Sequence, residues 1–315
     1  MRTPTFAALA GAFVLALAGC GSDSAPLSGS IRIDGPREAA PLTKAIARRF
    51  TAAHSGVRIT VGASGTARGF AELCHDATEL SDALAPAGGA SGDPCRSEGS
   101  APAQLPVAHD AIVLLVAPQI PVRCLTTRQL RQIWHRNSEV HSRWGEVDDL
   151  NPPFQGEMTA WGPGTDTEQF HFFNEAINGR WNSYRDYNNV LHKLENLVPG
   201  VLGTPGNLGY TEYAMYREHA DEVRAIAVDS GHGCVAPTPA TIAAGRYQPL
   251  TRELSLYASA HALRRRVVAE FLRYYLDHVQ EVAPSAGFVA PTDGQLDASR
   301  TRLTRLLDAA APQGR

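Results

Sequence analysis

From Ser30 onward, short apolar runs of strand character alternate with longer segments of helical period, and this alternation most limits the folds open to the chain. Residues 30–33 and 57–61 read as strands, with a helix over 41–50 between them. Pro41 suits the start of that helix, where no intrahelical N–H bond is lost. Residues 111–117 form a continuous apolar run, the pattern of a strand covered on both faces. Further strands are expected at 159–161, 208–210, 224–228 and 254–257. Helices are expected at 66–73, from a Thr126 cap to Trp134, and at 167–177, 191–198, 212–218 and 295–308. The clearest amphipathic helix covers 262–277, with Leu263, Val267, Phe271, Leu272 and Tyr275 on one stripe. Such alternation predicts α/β layers, with ligand sites at strand C-termini and helix N-termini. At 315 residues the chain has about two domains' worth of length and enough for a sizeable core.

The first residues read as an address. Arg2 precedes an uncharged, mostly apolar run over 6–18 that ends Leu17-Ala18-Gly19-Cys20. The run is shorter than the ~20 residues a membrane-spanning helix needs and has the shape of a secretory signal. Small residues before a Cys resemble a bacterial lipobox. The expectation is a signal peptide over 1–19, lipidation at Cys20 and a small, polar linker over 20–29. The body is then exported and held by lipid to the outer face of the cytoplasmic membrane.

Export changes how the remaining cysteines read. Cys74, Cys95, Cys124 and Cys234 are an even set in an exported chain, which points to two disulfides. Three connectivities are possible, and the sequence alone does not choose among them. Cys74–Cys95 with Cys124–Cys234 is the preferred pairing. Metal binding is the rival reading, but no CxxC or CxxH pair exists.

Other chemistries find little support. A net charge of −3 argues against a nucleic-acid binder, and 43% hydrophobic residues argue against a disordered chain. Gly62-Ala63-Ser64-Gly65-Thr66 is not a nucleophile elbow, the histidines form no HExxH pair, and no Walker loop or dinucleotide fingerprint is present. His109 and His232 read as surface or hydrogen-bonded residues rather than ligands. No catalytic residue, cofactor or metal is therefore expected. Two small-residue turns remain. Val61-Gly62-Ala63-Ser64-Gly65-Thr66 and Trp161-Gly162-Pro163-Gly164-Thr165-Asp166-Thr167 each join a strand to a helix, in opposite halves of the chain. Backbone N–H groups at a helix start, with hydroxyls nearby, make an anion cradle.

Read as blocks, the chain resembles the phosphate-binding lipoproteins of phosphate ABC transporters, a type II periplasmic-binding-protein-like family. The blocks are Ser30-Ile31-Arg32-Ile33-Asp34-Gly35, the Ser64-Gly65-Thr66 turn with Gly69-Phe70, Leu80-Ser81-Asp82-Ala83 and Leu105-Pro106-Val107-Ala108-His109-Asp110. They continue through Cys124-Leu125-Thr126, Gly162-Pro163-Gly164-Thr165-Asp166, Asn207-Leu208-Gly209-Tyr210, Cys234-Val235-Ala236-Pro237 and Tyr247-Gln248-Pro249-Leu250-Thr251-Arg252. The resemblance implies two α/β lobes joined by two hinge crossings, near 110–118 and 248–254. Lobe 1 would hold 30–110 plus 252–315, and lobe 2 would hold 111–251. It also implies the same two disulfides. Inorganic phosphate would be clamped between the lobes of a monomer and passed to ABC permease subunits, with no bond broken.

The implied ligand shell departs from the family pattern. Ser64, Gly65, Thr66, Asp82, Asp166 and Thr167 match positions that bind phosphate in the family. However, Pro36-Arg37-Glu38 replaces a Ser-Ser-Thr turn, Ala85 replaces an Arg, and Glu168-Gln169 replaces Gly-Thr. One unit charge ~4 Å from another is worth about 4 kcal/mol at an effective dielectric of 20. With about 1.4 kcal/mol per tenfold, one uncompensated Glu would weaken anion binding several hundredfold. Arg37 and Arg68 are the candidates to compensate. The alternative expectation is a divergent paralogue that binds another ligand or none and serves as a surface or signalling module.

Overall fold

The computed structural model describes residues 26–84, 95, 101–138, 142–180, 182–184, 189–191 and 194–311. The expected signal peptide, Cys20, linker residues 20–25 and Ala85 lie outside the described residues.

The chain opens with β1 (Ser28–Asp34), α1 (Ala40–Ala53), β2 (Gly56–Val61), α2 (Thr66–Cys74) and β3 (Leu80–Ala83). β1 lies between β2 and β3, parallel to both. α1 buries Leu42, Ile46 and Phe50, the four-residue spacing of one helix face. β4 (Ala103–Val116) then carries the chain into a second half. That half holds β5 (Cys124–Thr126), α3 (Thr127–Trp134), β6 (Ala160–Pro163), α4 (Glu168–Asn178), β7 (Asn189–Leu191), α5 (Leu197–Gly203) and β8 (Leu208–Glu212). It is completed by α6 (Tyr213–Glu218), β9 (Arg224–Asp229), β10 (Cys234–Val235) and α7 (Pro239–Ala243). β11 (Thr251–Ala258) returns to the first half, followed by α8 (Ala260–Leu263), α9 (Arg266–Val282) and α10 (Asp293–Ala310).

The strands run in the order β2-β1-β3-β11-β4-β8-β6-β7, and β9 pairs with β4, β5 and β10. β4 belongs to both halves. It pairs antiparallel with β11 up to Ala111, and with β8 from Ile112 to Val116. Its continuous apolar stretch is buried, with strands along its edges and the side chains of the second core packed against it. Two hydrophobic cores result. One gathers residues from 31–108 and 254–303, around Ile31, Phe50, Phe271 and Leu276. The other gathers residues from 111–250 with Val289, and stacks Phe173 on Tyr210 with ring centroids 3.8 Å apart. The protein is thus a two-lobed α/β molecule. No helix among the described residues is long and apolar enough to cross a membrane.

Two expected helices differ from those found. Residues 191–198 are not one helix. Residues 189–191 instead pair parallel with β6, and α5 begins only at Leu197. A short apolar run does not distinguish strand from helix by period, and the open edge of β6 decides the matter. The amphipathic helix starts at Arg266, not at residue 262. Arg265 leaves helical geometry (φ −85°, ψ 119°), and its guanidinium is tied to Glu79 and to the Ser30 carbonyl, both at 2.7 Å. The preferred cysteine pairing is present. Cys74 joins Cys95 with Cα atoms 5.1 Å apart, and Cys124 joins Cys234 at 6.0 Å.

Candidate ligand-binding cleft

The two turns singled out in the sequence face one another between the lobes. β1 ends at Asp34, whose carboxylate accepts from Gly35 N (2.8 Å), Ser64 N (3.0 Å) and Ser64 Oγ (2.5 Å). Gly62 is required here, because a Cβ would stand 2.6 Å from Asp34 Oδ1. Gly65 precedes α2 with φ +101°, a conformation that favours glycine. Asp34 therefore fixes the turn that aims the start of α2 at the opposite lobe. The Ser64 hydroxyl is spent on this task.

Thr66, the first residue of α2, meets Glu168, the first residue of α4 in the other lobe. Thr66 N donates to Glu168 Oε1 at 2.8 Å, and Thr66 Oγ1 donates to Glu168 Oε2 at 2.9 Å. Both oxygens of one carboxylate are thus held by two donors at a helix N-terminus, where backbone N–H groups and the helix dipole favour negative charge. Glu168 gains the same advantage from its own helix. Thr167 caps α4 by accepting from Phe170 N (3.2 Å), and its hydroxyl donates to the Gly164 carbonyl (2.7 Å). Asp166 is exposed in the preceding turn.

The floor of the cleft is built by the crossing strands. Asp110 on β4 and Arg252 on β11 are register partners, and both side chains are buried. Arg252 Nε donates to Asp110 Oδ2 at 2.8 Å, and Nη2 lies 2.7 Å from the same oxygen. The Phe172 ring lies under the guanidinium, 5.2 Å from its carbon. Arg252 is therefore matched by its own counter-charge.

More carboxylates surround this pair. Burial pushes the Glu212 carboxyl up to about 7, and the charge of Asp110 adds to the rise. The hydrogen bond from Gln169 Nε2 at 2.8 Å partly offsets it. Glu38 is also raised, by burial first; its backbone hydrogen bond opposes this, while the nearby charge of Glu168 adds to it. The cleft of this conformation is acidic, with Glu38, Asp110, Glu168 and Glu212 around one paired arginine. Among the described residues no group of three or more His, Cys, Asp or Glu could hold a metal ion.

The other expected ligand residues stand apart from this contact. Asp82 on β3 is 1% exposed and accepts from Thr43 Oγ1 at 3.0 Å; Thr43 in turn meets the Tyr275 hydroxyl at 3.1 Å. Burial, with the nearby charge of Asp34, pushes the Asp82 carboxyl up to about 7, while the Thr43 bond pulls the other way. Arg37 is exposed on the turn into α1. Arg68 pairs with Glu72 one turn along α2, at 3.3 Å. The structure thus brings Thr66 against the α4 turn and leaves Asp82 and Arg68 turned elsewhere. Arg252, Glu212 and Asp110 carried no assigned role in the sequence. The antiparallel register of two distant segments is what joins them, and the one signal in the chain was Asp110 at the start of the apolar run 111–117.

Comparisons with known proteins agree with this architecture. The PBP superfamily domain matches residues 21–278. Protein SphX of Synechocystis sp. is 33% identical over 266 residues, spanning 83% of this chain and 78% of that protein. The phosphate-binding protein PstS of Staphylococcus epidermidis is 26% identical over 289 residues, spanning 89% of this chain and 86% of that protein. Among solved structures, a possible phosphate binding protein from Planctomyces limnophilus superposes with a TM-score of 0.72 at 30% identity, covering 89% of this chain and 99% of that one. An ABC-type phosphate transport receptor from Vibrio cholerae shares the fold, with a TM-score of 0.70 at 16% identity over 84% of this chain and 100% of that one. The match over most of the chain and the 33% identity to a relative covered over most of its length agree with the two-lobed architecture described above, and the chain belongs to the PBP superfamily of solute-binding proteins.

Proposed function

We propose that the protein is an extracytoplasmic solute-binding lipoprotein that captures inorganic phosphate between its lobes and delivers it to the permease of an ABC importer. Its N-terminal segment directs export, Cys20 carries the lipid anchor, and the body works as a monomer. One lobe comprises 30–110 with 252–315 and the other 111–251. The observation that carries this reading is the pair of donors on Thr66, which converge on two oxygens of a single anion. In the loaded state those donors hold phosphate oxygens, Gly65 lets the backbone approach, and Thr167 lines the facing turn beside Asp166. Ser64 fixes the α2 turn through Asp34, Asp82 takes the ligand's proton only once it is freed from Thr43 and turned to the cleft, and Arg37 supplies the positive charge that Ala85 lacks. Arg68 serves this role only once freed from Glu72. No bond is made or broken, so the protein acts as a binder and not as an enzyme.

Titration of the protein with phosphate at pH 7 in a calorimeter, with sulfate as control, tests this. Binding at micromolar concentration or tighter is expected, with a loss of at least tenfold in Thr66→Val. Absence of phosphate heat would favour the second reading, a paralogue with another ligand or none. That reading draws its support from the acidic ring of Glu38, Glu168 and Glu212 around the seat.

A further inference from the structure

We propose that Glu168 is a tethered anion that competes with any free oxyanion for one seat, the Thr66 donors, so that this one side chain sets both the affinity of the cleft and its closure. The proposal rests on the reading that the start of α2 is an anion seat, but it does not require the anion to be phosphate.

The geometry carries it in three steps. First, the seat is filled. Thr66 N and Oγ1 each hold one oxygen of the Glu168 carboxylate, at 2.8 and 2.9 Å, so an incoming oxyanion finds both donors engaged. Second, the occupant belongs to the other lobe. Glu168 is separated from Thr66 by 102 residues of chain and stands on α4, whereas Thr66 stands on α2. A single side chain therefore bridges the cleft as a ligand would. Third, the competition is intramolecular. A tethered carboxylate acts at an effective concentration that a dilute solute does not match. Glu168 lies outside both hydrophobic cores, and α4 is capped by Thr167 rather than by Glu168.

Release follows from the same chemistry. When the carboxylate leaves the seat it can return to solvent by rotating about its side-chain bonds. If it stays within the cleft, Glu38 and Asp110 repel it. A free anion that displaces it takes over the bridge between the lobes. Ligand exchange thus replaces one closed state by another, and the empty, open state is reached only when Glu168 is out and no ligand is in.

The test compares the ligand-free protein with Glu168→Ala and with the more conservative Glu168→Gln, each checked for fold by circular dichroism. Small-angle scattering of ligand-free Glu168→Ala is expected to give a larger radius of gyration than the original protein. Millimolar formate, a free carboxylate, is expected to return it to the compact value while leaving the original protein unchanged. Phosphate titration of Glu168→Ala is expected to give at least tenfold tighter binding. Unchanged scattering in both variants, with no response to formate, would overturn the proposal. An opening that formate reverses, with no phosphate heat in any of the proteins, would keep the tethered anion and reject phosphate as the ligand.

Discussion

Asp82 shows how one residue can serve a fold and unsettle it at once. Its carboxyl is buried, accepts a hydrogen bond from Thr43 Oγ1, and among the described residues has Asp34 rather than a cation as its charged neighbour. Its folded pKa, about 7, lies above the ordinary 3.8. The folded protein therefore keeps a proton that the unfolded chain gives up near pH 4. Stability from this group is complete below pH 4, declines as the pH rises from about 4 to about 7, and stays at the lower level above. At 1.36 kcal/mol per pKa unit, the decline is on the order of a few kcal/mol. Asp82→Asn keeps the acceptor for Thr43 and removes the titration. It is expected to melt several degrees higher than the original at pH 8 and at nearly the same temperature at pH 4, read by calorimetry. Equal shifts at both pH values would contradict this account. At this scale the sequence was only partly legible. Ser64, Gly65 and Thr66 were found because a strand-to-helix turn of small residues has a local signature. The orientation of Asp82 and the partners of Glu168 were not, because they arise from contacts distant in sequence: Thr43 is 39 residues from Asp82, and Thr66 is 102 from Glu168.

Among the elements, the border strands of the second lobe depend on a covalent tie. β5 and β10 are three and two residues long, and both pair with β9. Strands so short contribute few ladder bonds, and the Cys124–Cys234 bridge fixes them on the two sides of β9. The bridge closes a loop with a sequence separation of 110, worth about 4–5 kcal/mol in the chain-entropy model. Replacing both cysteines by serine is expected to lower unfolding free energy by roughly that amount in urea titration, with the pairing of β5 and β10 most affected in hydrogen exchange. Losing the Cys74–Cys95 bridge, with a separation of 21, is expected to cost about 3 kcal/mol and to act on α2. Long elements with a strong pattern were legible in advance. The second half of β4 follows from the apolar run at 111–117 and most of α10 from the helical stretch at 295–308, whereas the first half of β4, from Ala103 to Asp110, and the Thr292 cap of α10 were not read. β3, β5, β7 and β10 escaped, since two to four residues carry no period and become strands only beside a neighbour.

Across the whole molecule, the gap between the lobes carries a negative field. Glu38, Asp110, Glu168 and Glu212 meet there, while Arg252 is matched by Asp110. Glu212 titrates at about 7 and Glu38 is raised as well, so the field deepens as the pH rises through neutrality. Phosphate affinity is accordingly expected to fall at least tenfold between pH 6 and pH 8, since one added charge ~5 Å away is worth about 3 kcal/mol at an effective dielectric of 20. Calorimetric titrations across that range check it. The decline should be smaller in Glu212→Gln, and a flat profile in the original protein would remove the field from the account.

The place of β11 between β3 and β4 has a consequence for the making of the protein. The first lobe is begun first and finished last, because the strand that joins its two parts lies beyond the whole of the second lobe. In any N-to-C order of delivery, from the ribosome or across a membrane, β3 emerges before β11 by the whole of residues 84–250. Throughout that interval β3 shows an unpaired edge, the kind of edge that recruits wrong partners. The nested half reaches its final partners earlier. The birth order of the lobes is therefore the reverse of their order of completion, and the early half is the one in need of a guardian while the rest of the chain arrives.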